Sequence, residues 1–174
     1  MALRRARIYR EFKRPYTRTA VKVHRKAYIK GVPGSKLHTF EMGNAAMKGK
    51  FEKKIYIISC ENAQVRHNSL ESGRISANSL LRKKLDDKNF FMKVLVYPHQ
   101  VLREHAQAAI AQADRFYQGM AHAFGKPSGS AARIRKSHRI MVIEVNASGI
   151  ETAKQAGKRV CDKMPMRCRV EIAK

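Results

Sequence analysis

The sequence predicts an α+β sandwich in which two helices pack on one side of a sheet. Three observations carry that reading. Strand–helix–strand patterning occurs twice, over 54–97 and again over 138–172. Each helical stretch opens on a polar residue followed three positions later by Glu, the spacing of a capping box. The chain has 174 residues, 44% of them apolar, enough for one domain with a buried core.

The elements follow in order. Residues 1–36 contain twelve basic side chains against the single acid Glu11. Tyr9, Phe12, Tyr16 and Tyr28 lie among them. Cations grip phosphate and flat rings stack on unpaired bases, so this stretch reads as a basic arm leading into the domain. Its candidate RNA contacts are Arg4, Arg5, Arg7, Arg10, Arg14, Tyr16, Arg18, Arg25 and Lys36. Gly31-Val32-Pro33-Gly34 is a turn, because Pro presets φ and Gly admits positive φ, and it is expected to divide the arm from a single domain over 37–174.

Residues 54–60, rich in β-branched and aromatic side chains, read as a strand. Asn68 and Glu71 form the first capping box, and the helix runs to about Leu85, with Leu70, Ala77, Leu81 and Leu85 on one face. A second strand covers 90–97, where Pro98 stops it. The scheme then repeats. His138–Asn146 is a strand, and Ser148 and Glu151 open a helix that ends near Lys163, ahead of Pro165. Arg167–Ile172 alternates polar and apolar residues and closes the sheet.

Between the halves, 98–137 fits neither element well and reads as a long inserted loop. It has an Ala/Gln-rich run, with partial helix expected over 106–118, and it ends on the basic Arg133, Arg135 and Lys136.

Charge narrows the function. With 37 Lys and Arg against 13 Asp and Glu, the net charge is +24. Such a surface repels itself and is relieved by a polyanion that releases its counterions, so nucleic acid leads as the partner. An anionic membrane would call for a basic amphipathic helix with bulky apolar residues opposite, and none is evident, so no membrane partner is expected. The longest apolar runs are four residues, as in Ile55–Ile58, far short of a span. The start of the chain has no apolar stretch of the kind a secretory signal needs. Cys60, Cys161 and Cys168 form no close pair, and seven scattered His complete no tetrahedral set, so no metal is expected.

Enzymatic motifs fail on spacing. Gly119 to Gly125-Lys126 has five intervening residues where a phosphate-binding loop has four, and Pro127 stands where Ser or Thr would hold magnesium. No Gly-x-Ser-x-Gly elbow occurs. Asp86-Asp87 is the ordinary polar end of a helix. No catalytic residue and no cofactor is expected. Two other classes stay open at this point. One is a nucleic-acid-processing enzyme, which would need convergent acids or a metal, and the other is a free chaperone-like RNA binder.

Several ordered stretches carry a family likeness. They are Gly31-Val32-Pro33-Gly34-Ser35-Lys36, Met42-Gly43-Asn44, Pro98 through His105, Ala113-Asp114-Arg115, Gly119-Met120, Ala123 through Pro127, and Ala132-Arg133. In that order they resemble the universal large-subunit ribosomal protein family called L-sixteen in bacteria and L-ten-e in archaea. Arg4, Ala6 and Arg7, and Lys163-Met164-Pro165, fit the archaeal branch, as does an end at Lys174 without the eukaryotic extension. The resemblance implies the family's α/β hammerhead and a structural place in the large subunit of the cytoplasmic ribosome. Its implied partners are large-subunit rRNA, 5S rRNA, tRNA in the A/P-site region and neighbouring ribosomal proteins, with no homo-oligomer. The insertion would point toward the peptidyl-transferase centre. Arg103 and His105 match the motif at its base, Arg115 lies within it, and Gly125, Lys126 and Arg133, followed by Arg135, mark its return. At 104–113, Glu104 and the Ala-rich run replace a more basic or polar tip found in some relatives.

Overall fold

The computed structural model describes residues 5–12, the backbone of 17–19, residue 29, and residues 31–104 and 125–173. Nine strands and two α-helices occur among them: β1 Thr17–Thr19, β2 Glu41–Gly43, β3 Lys53–Ser59, β4 Ala63–Arg66, α1 His67–Leu85, β5 Phe90–Val94, β6 Gln100–Glu104, β7 Lys126–Ile134, β8 Arg139–Val145, α2 Ile150–Asp162 and β9 Cys168–Ile172. They form two antiparallel sheets, one of order β1-β6-β7-β4 and one of order β2-β5-β8-β3-β9. The fold is α+β, as the sequence predicts.

Both strand–helix–strand halves are present. The first links β3 to β5 through α1, and the second links β8 to β9 through α2. Their strands interleave: β8 lies between β5 and β3, so the two halves share one sheet. Apolar residues on β3, β5 and β8 supply most of the largest fully buried side chains. Ile55, Ile57, Phe90, Met92, Ile140, Met141 and Ile143 are all fully buried. The helices meet each other, and α2 lies on β3, β8 and β9. Leu70, Ala77 and Leu81 of α1 and Ala153, Ala156 and Val160 of α2 complete the same apolar cluster. Arg82, Lys83 and Lys84 remain exposed in the last turn of α1, where cations complement the carbonyl end of the helix dipole.

Three local expectations need correction. Neither capping box forms. The residue preceding α1 is Arg66 and that preceding α2 is Gly149, and no side chain caps either helix. Chain entry explains the first case, because β4 runs straight into α1 and leaves Asn68 inside the first turn. Glu71 instead binds Arg74, with Oε2 to Nε at 2.9 Å. In the second, a short 3-10 turn at Ala147–Gly149 takes up Ser148 before the helix begins. Third, 98–137 is not simply a loop, because it contains β6 and β7, the middle strands of the four-stranded sheet. The signal was masked by composition. β7 reads Lys-Pro-Ser-Gly-Ser-Ala-Ala-Arg-Ile, nearly free of the branched and aromatic residues that mark strands. Small side chains are needed there because His67 packs on β7: a Cβ at Gly129 would lie 2.9 Å from its Nε2. The helix expected over 106–118 falls outside the described residues.

Part of the N-terminal stretch docks on the four-stranded sheet. Residues Ala6–Tyr9 form a 3-10 turn, and Tyr9 is buried against Leu102 and Ala131. Gln64 of β4 donates its backbone N–H to the Arg10 carbonyl at 2.8 Å and its side-chain amide to the Glu11 carbonyl at 2.5 Å. Strand β1 pairs with β6, Thr17 opposite Leu102. Basic composition and seated backbone thus coexist in one segment.

Candidate nucleic-acid interface

The chain between β7 and β8 turns a corner from one sheet into the other. Arg133, Arg135, Lys136, Ser137 and His138 line a cleft of about 440 Å³ there. The backbone of this corner is held internally. The Ser137 N–H donates to the Ser59 carbonyl at 2.8 Å, and Ser59 N–H donates to the His138 carbonyl at 3.0 Å. The Lys136 N–H donates to Asn62 Oδ1 at 2.8 Å. Ser137 sits at φ +65°, in the left-handed region that a small polar residue tolerates better than a branched one. With the amides used in this way, the cationic side chains are what the corner presents outward.

Some cations elsewhere are paired: Lys48 and Lys93 both reach Glu41, at 2.9 and 2.6 Å, and Arg82 meets Asp87 at 2.7 Å. Glu61, the carboxylate beside Asn62, is taken by Arg10. Among the described residues no carboxylate pairs with Arg133, Arg135 or Lys136. Arg133 instead lies over the Phe12 ring, 5.7 Å from its centroid, and Nη2 donates to the Phe12 carbonyl at 3.4 Å. Next in the chain, Arg139 stacks on Tyr56 at 4.2 Å. Guanidinium planes braced on rings lose less freedom when they close on a phosphate.

A second basic locus lies at the other end of β7. Register places Arg103 opposite Pro127 and Glu104 opposite Lys126. Gly125 is tight against this stem: a Cβ there would be 3.1 Å from the Glu104 backbone and 3.3 Å from Arg103 Cβ. The structure therefore brings Arg103, Gly125 and Lys126 together, with Lys126 exposed. At about 3.4 Å per residue, Lys126 and Arg133 stand roughly 24 Å apart along the strand. Arg5 and Arg7 are exposed beside the docked 3-10 turn, and Arg10 is half-exposed in its pair with Glu61. Lys36 is exposed while its backbone N–H donates to His67 Nδ1 at 2.8 Å. Accepting at Nδ1 requires a neutral imidazole. Burial, then Lys36 and Arg66, push the His67 pKa below the usual histidine value.

Of the remaining candidates, Arg4, Arg14, Tyr16, Arg25, His105 and Arg115 lie outside the described residues, and Arg18 is described only as backbone of β1. Sequence reasoning missed Lys136 and His138 as partners of Arg133 and Arg135. The run Arg133 to His138 was the available signal, but only the corner turns it into one cleft. Among the described residues, no group of three or more His, Cys, Asp or Glu is placed to hold a metal ion. None of their helices is long and apolar enough to cross a membrane.

A family model described as ribosomal protein L16p/L10e matches residues 15–171. The large ribosomal subunit protein uL16 of Staphylothermus marinus is 42% identical over 171 residues, covering 98% of this chain and 93% of its own. Its counterpart in Archaeoglobus fulgidus is 38% identical over 174 residues, covering 100% and 95%. That of Sulfolobus acidocaldarius is 41% identical over 176 residues, covering 99% and 95%.

Proposed function

Since the chain belongs to the ribosomal protein L16p/L10e family, in its archaeal-type branch, we propose that it pins strands of large-subunit rRNA against one another near 5S rRNA and the tRNA-binding cleft. It is a large-subunit ribosomal protein of the cytoplasmic ribosome, and the family is one of structural proteins rather than enzymes. In the proposed arrangement, residues 1–36 act as a basic arm on a domain of 37–174, and the excursion within 98–137 reaches toward tRNA. Arg103, His105, Arg115, Gly125 and Lys126 serve that excursion. Arg133 and Arg135, with Lys136, hold rRNA at the corner, and Arg4, Arg5, Arg7, Arg10, Arg14, Tyr16, Arg18, Arg25 and Lys36 line the arm's path.

The observation that carries the reading is the cluster of exposed cations lining one cleft at the corner, at one end of a strand whose other end presents Lys126. Two cationic points at fixed separation on a stiff strand suit two phosphate backbones that would otherwise repel. RNA shape is what such points read, because side chains cannot enter the deep A-form major groove.

Reconstitution tests the reading. Large subunits assembled with Lys126→Glu, Arg133→Glu should contain much less of this protein than those assembled with wild type. The 5S rRNA backbone protections seen by hydroxyl-radical probing should weaken with it. Wild-type incorporation and footprint would remove the basis for both loci.

A further inference from the structure

A different part of the surface carries aromatic rings rather than charge. Past β5 the chain stays extended, held by Leu95 N–H donating to the Ile140 carbonyl at 2.9 Å. Exposure then alternates: Val94, Val96 and Pro98 are buried, whereas Leu95, Tyr97 and His99 face outward. Tyr97 is 51% exposed, which is unusual for a ring this well ordered by neighbours. Phe40 stacks on it with centroids 5.4 Å apart and planes 18° apart. His99 also meets it, with centroids 4.5 Å apart and planes tilted by 44°. These three rings make a short ladder beside a cleft of about 510 Å³. Val32, Pro33 and Ser35 line the cleft together with Tyr97 and His99, and Ser130 of β7 contributes to its lining.

We propose that this cleft seats a single unpaired nucleobase of RNA, stacked on the Tyr97 ladder. The inference rests on the RNA-binding reading and adds a base-recognising site to its phosphate-holding corner. The chemistry fits in three respects. A flat, preassembled aromatic surface is complementary to the face of a base, and any base offers one. Among the described residues no carboxylate lines the cleft, and Lys36, next to Ser35, is exposed, so a polyanion is not repelled by them. The Ser130 hydroxyl is buried without a hydrogen-bond partner among the described residues, and a base brings donors and acceptors on its edge where a purely apolar ligand brings none. A duplex cannot occupy the cleft, because its base faces are already stacked, so the ligand is single-stranded.

The full-length protein should be titrated with a single-stranded RNA carrying one central 2-aminopurine, read by anisotropy and by 2-aminopurine fluorescence. A duplex of the same length serves as comparator. Wild type should quench the fluorophore on binding. Tyr97→Ala should bind the single strand about ten-fold more weakly and lose the quenching, with the dependence of affinity on salt unaltered, because no phosphate contact is removed. Tyr97→Phe should behave as wild type, His99→Ala should show a smaller loss, and duplex affinity should not move. Equal single-strand affinity and quenching for wild type and Tyr97→Ala would overturn the base site while leaving RNA binding intact. A Tyr97→Phe defect equal to that of Tyr97→Ala would overturn stacking as its cause. If wild type bound neither RNA, the RNA-binding reading itself would fall, and the base site with it.

Discussion

Neutralising the corner, with Arg133→Gln, Arg135→Gln and Lys136→Gln together, should flatten the salt dependence of rRNA binding. Each phosphate contact contributes about −0.9 for duplex or −0.7 for single-stranded nucleic acid to the slope of log affinity against log salt. Three contacts correspond to a slope shallower by about 2 to 3. From 50 to 200 mM salt the wild type would therefore lose about 20- to 40-fold more affinity than the variant. The fold should barely notice. All three side chains are exposed, and the main interaction lost within the chain is Arg133 over Phe12. An exposed cation–π contact is worth about 0.5–1 kcal/mol. Filter binding to a transcribed fragment of large-subunit rRNA across a salt series reads the slope, and thermal unfolding reads the fold. The matched control is Arg82→Gln, Lys83→Gln, Lys84→Gln at the exposed end of α1. An equal flattening in that control would mean that affinity is spread over the whole cationic surface, and the siting at the corner would be wrong.

Two further outcomes concern the fold. At Gly43, φ is +79° and an added Cβ would lie 2.3 Å from the Phe90 carbonyl oxygen, so Gly43→Ala combines backbone strain with collision against β5. Together these should cost about 2–5 kcal/mol, visible as a lowered urea midpoint, and a loss below about 0.5 kcal/mol would refute the collision. His67, whose folded pKa lies below the ordinary 6.5, should make the protein acid-sensitive. As pH falls through 6.5 the unfolded chain takes up a proton that folded His67 refuses. Stability is therefore intact above that value and declines below it, until the folded pKa is reached. His67→Gln should lose stability less steeply over the same acid range in denaturant titrations, and parallel curves would contradict the assignment.

What the sequence made legible, and what it hid, follows from side-chain size. Four strands of the five-stranded sheet were readable, because β3, β5 and β8 are built from Ile, Val, Met and Phe and β9 alternates polar and apolar residues, whereas the three residues of β2 left no signal. The first helix was readable from its apolar stripe and the second from its polar opening and the proline beyond it, although both starts were misassigned. Asn68 and Ser148 have the right chemistry for caps, but β4 and the turn at Ala147–Gly149 occupy the places where capping would occur. The four-stranded sheet was hidden. Its strand β7 meets His67 at Gly129 and is otherwise rich in Ser and Ala, and such small residues leave no hydrophobic trace in a sequence. The site divides in the same way. The cations at 133–136 could be counted, but their sharing of one cleft depends on the corner that the chain turns between β7 and β8. The ring ladder joins Phe40 to Tyr97 across a similar gulf, so no local pattern announced it.

Strand β7 ends in the four-stranded sheet and the same chain resumes as β8 at the heart of the other. Four residues, Arg135 to His138, make that passage. The two sheets also share one apolar cluster, which holds Val65, Ala132 and Ile134 of the one together with Ile55, Phe90 and Ile143 of the other. A substitution that displaced the corner would therefore be felt by both layers at once.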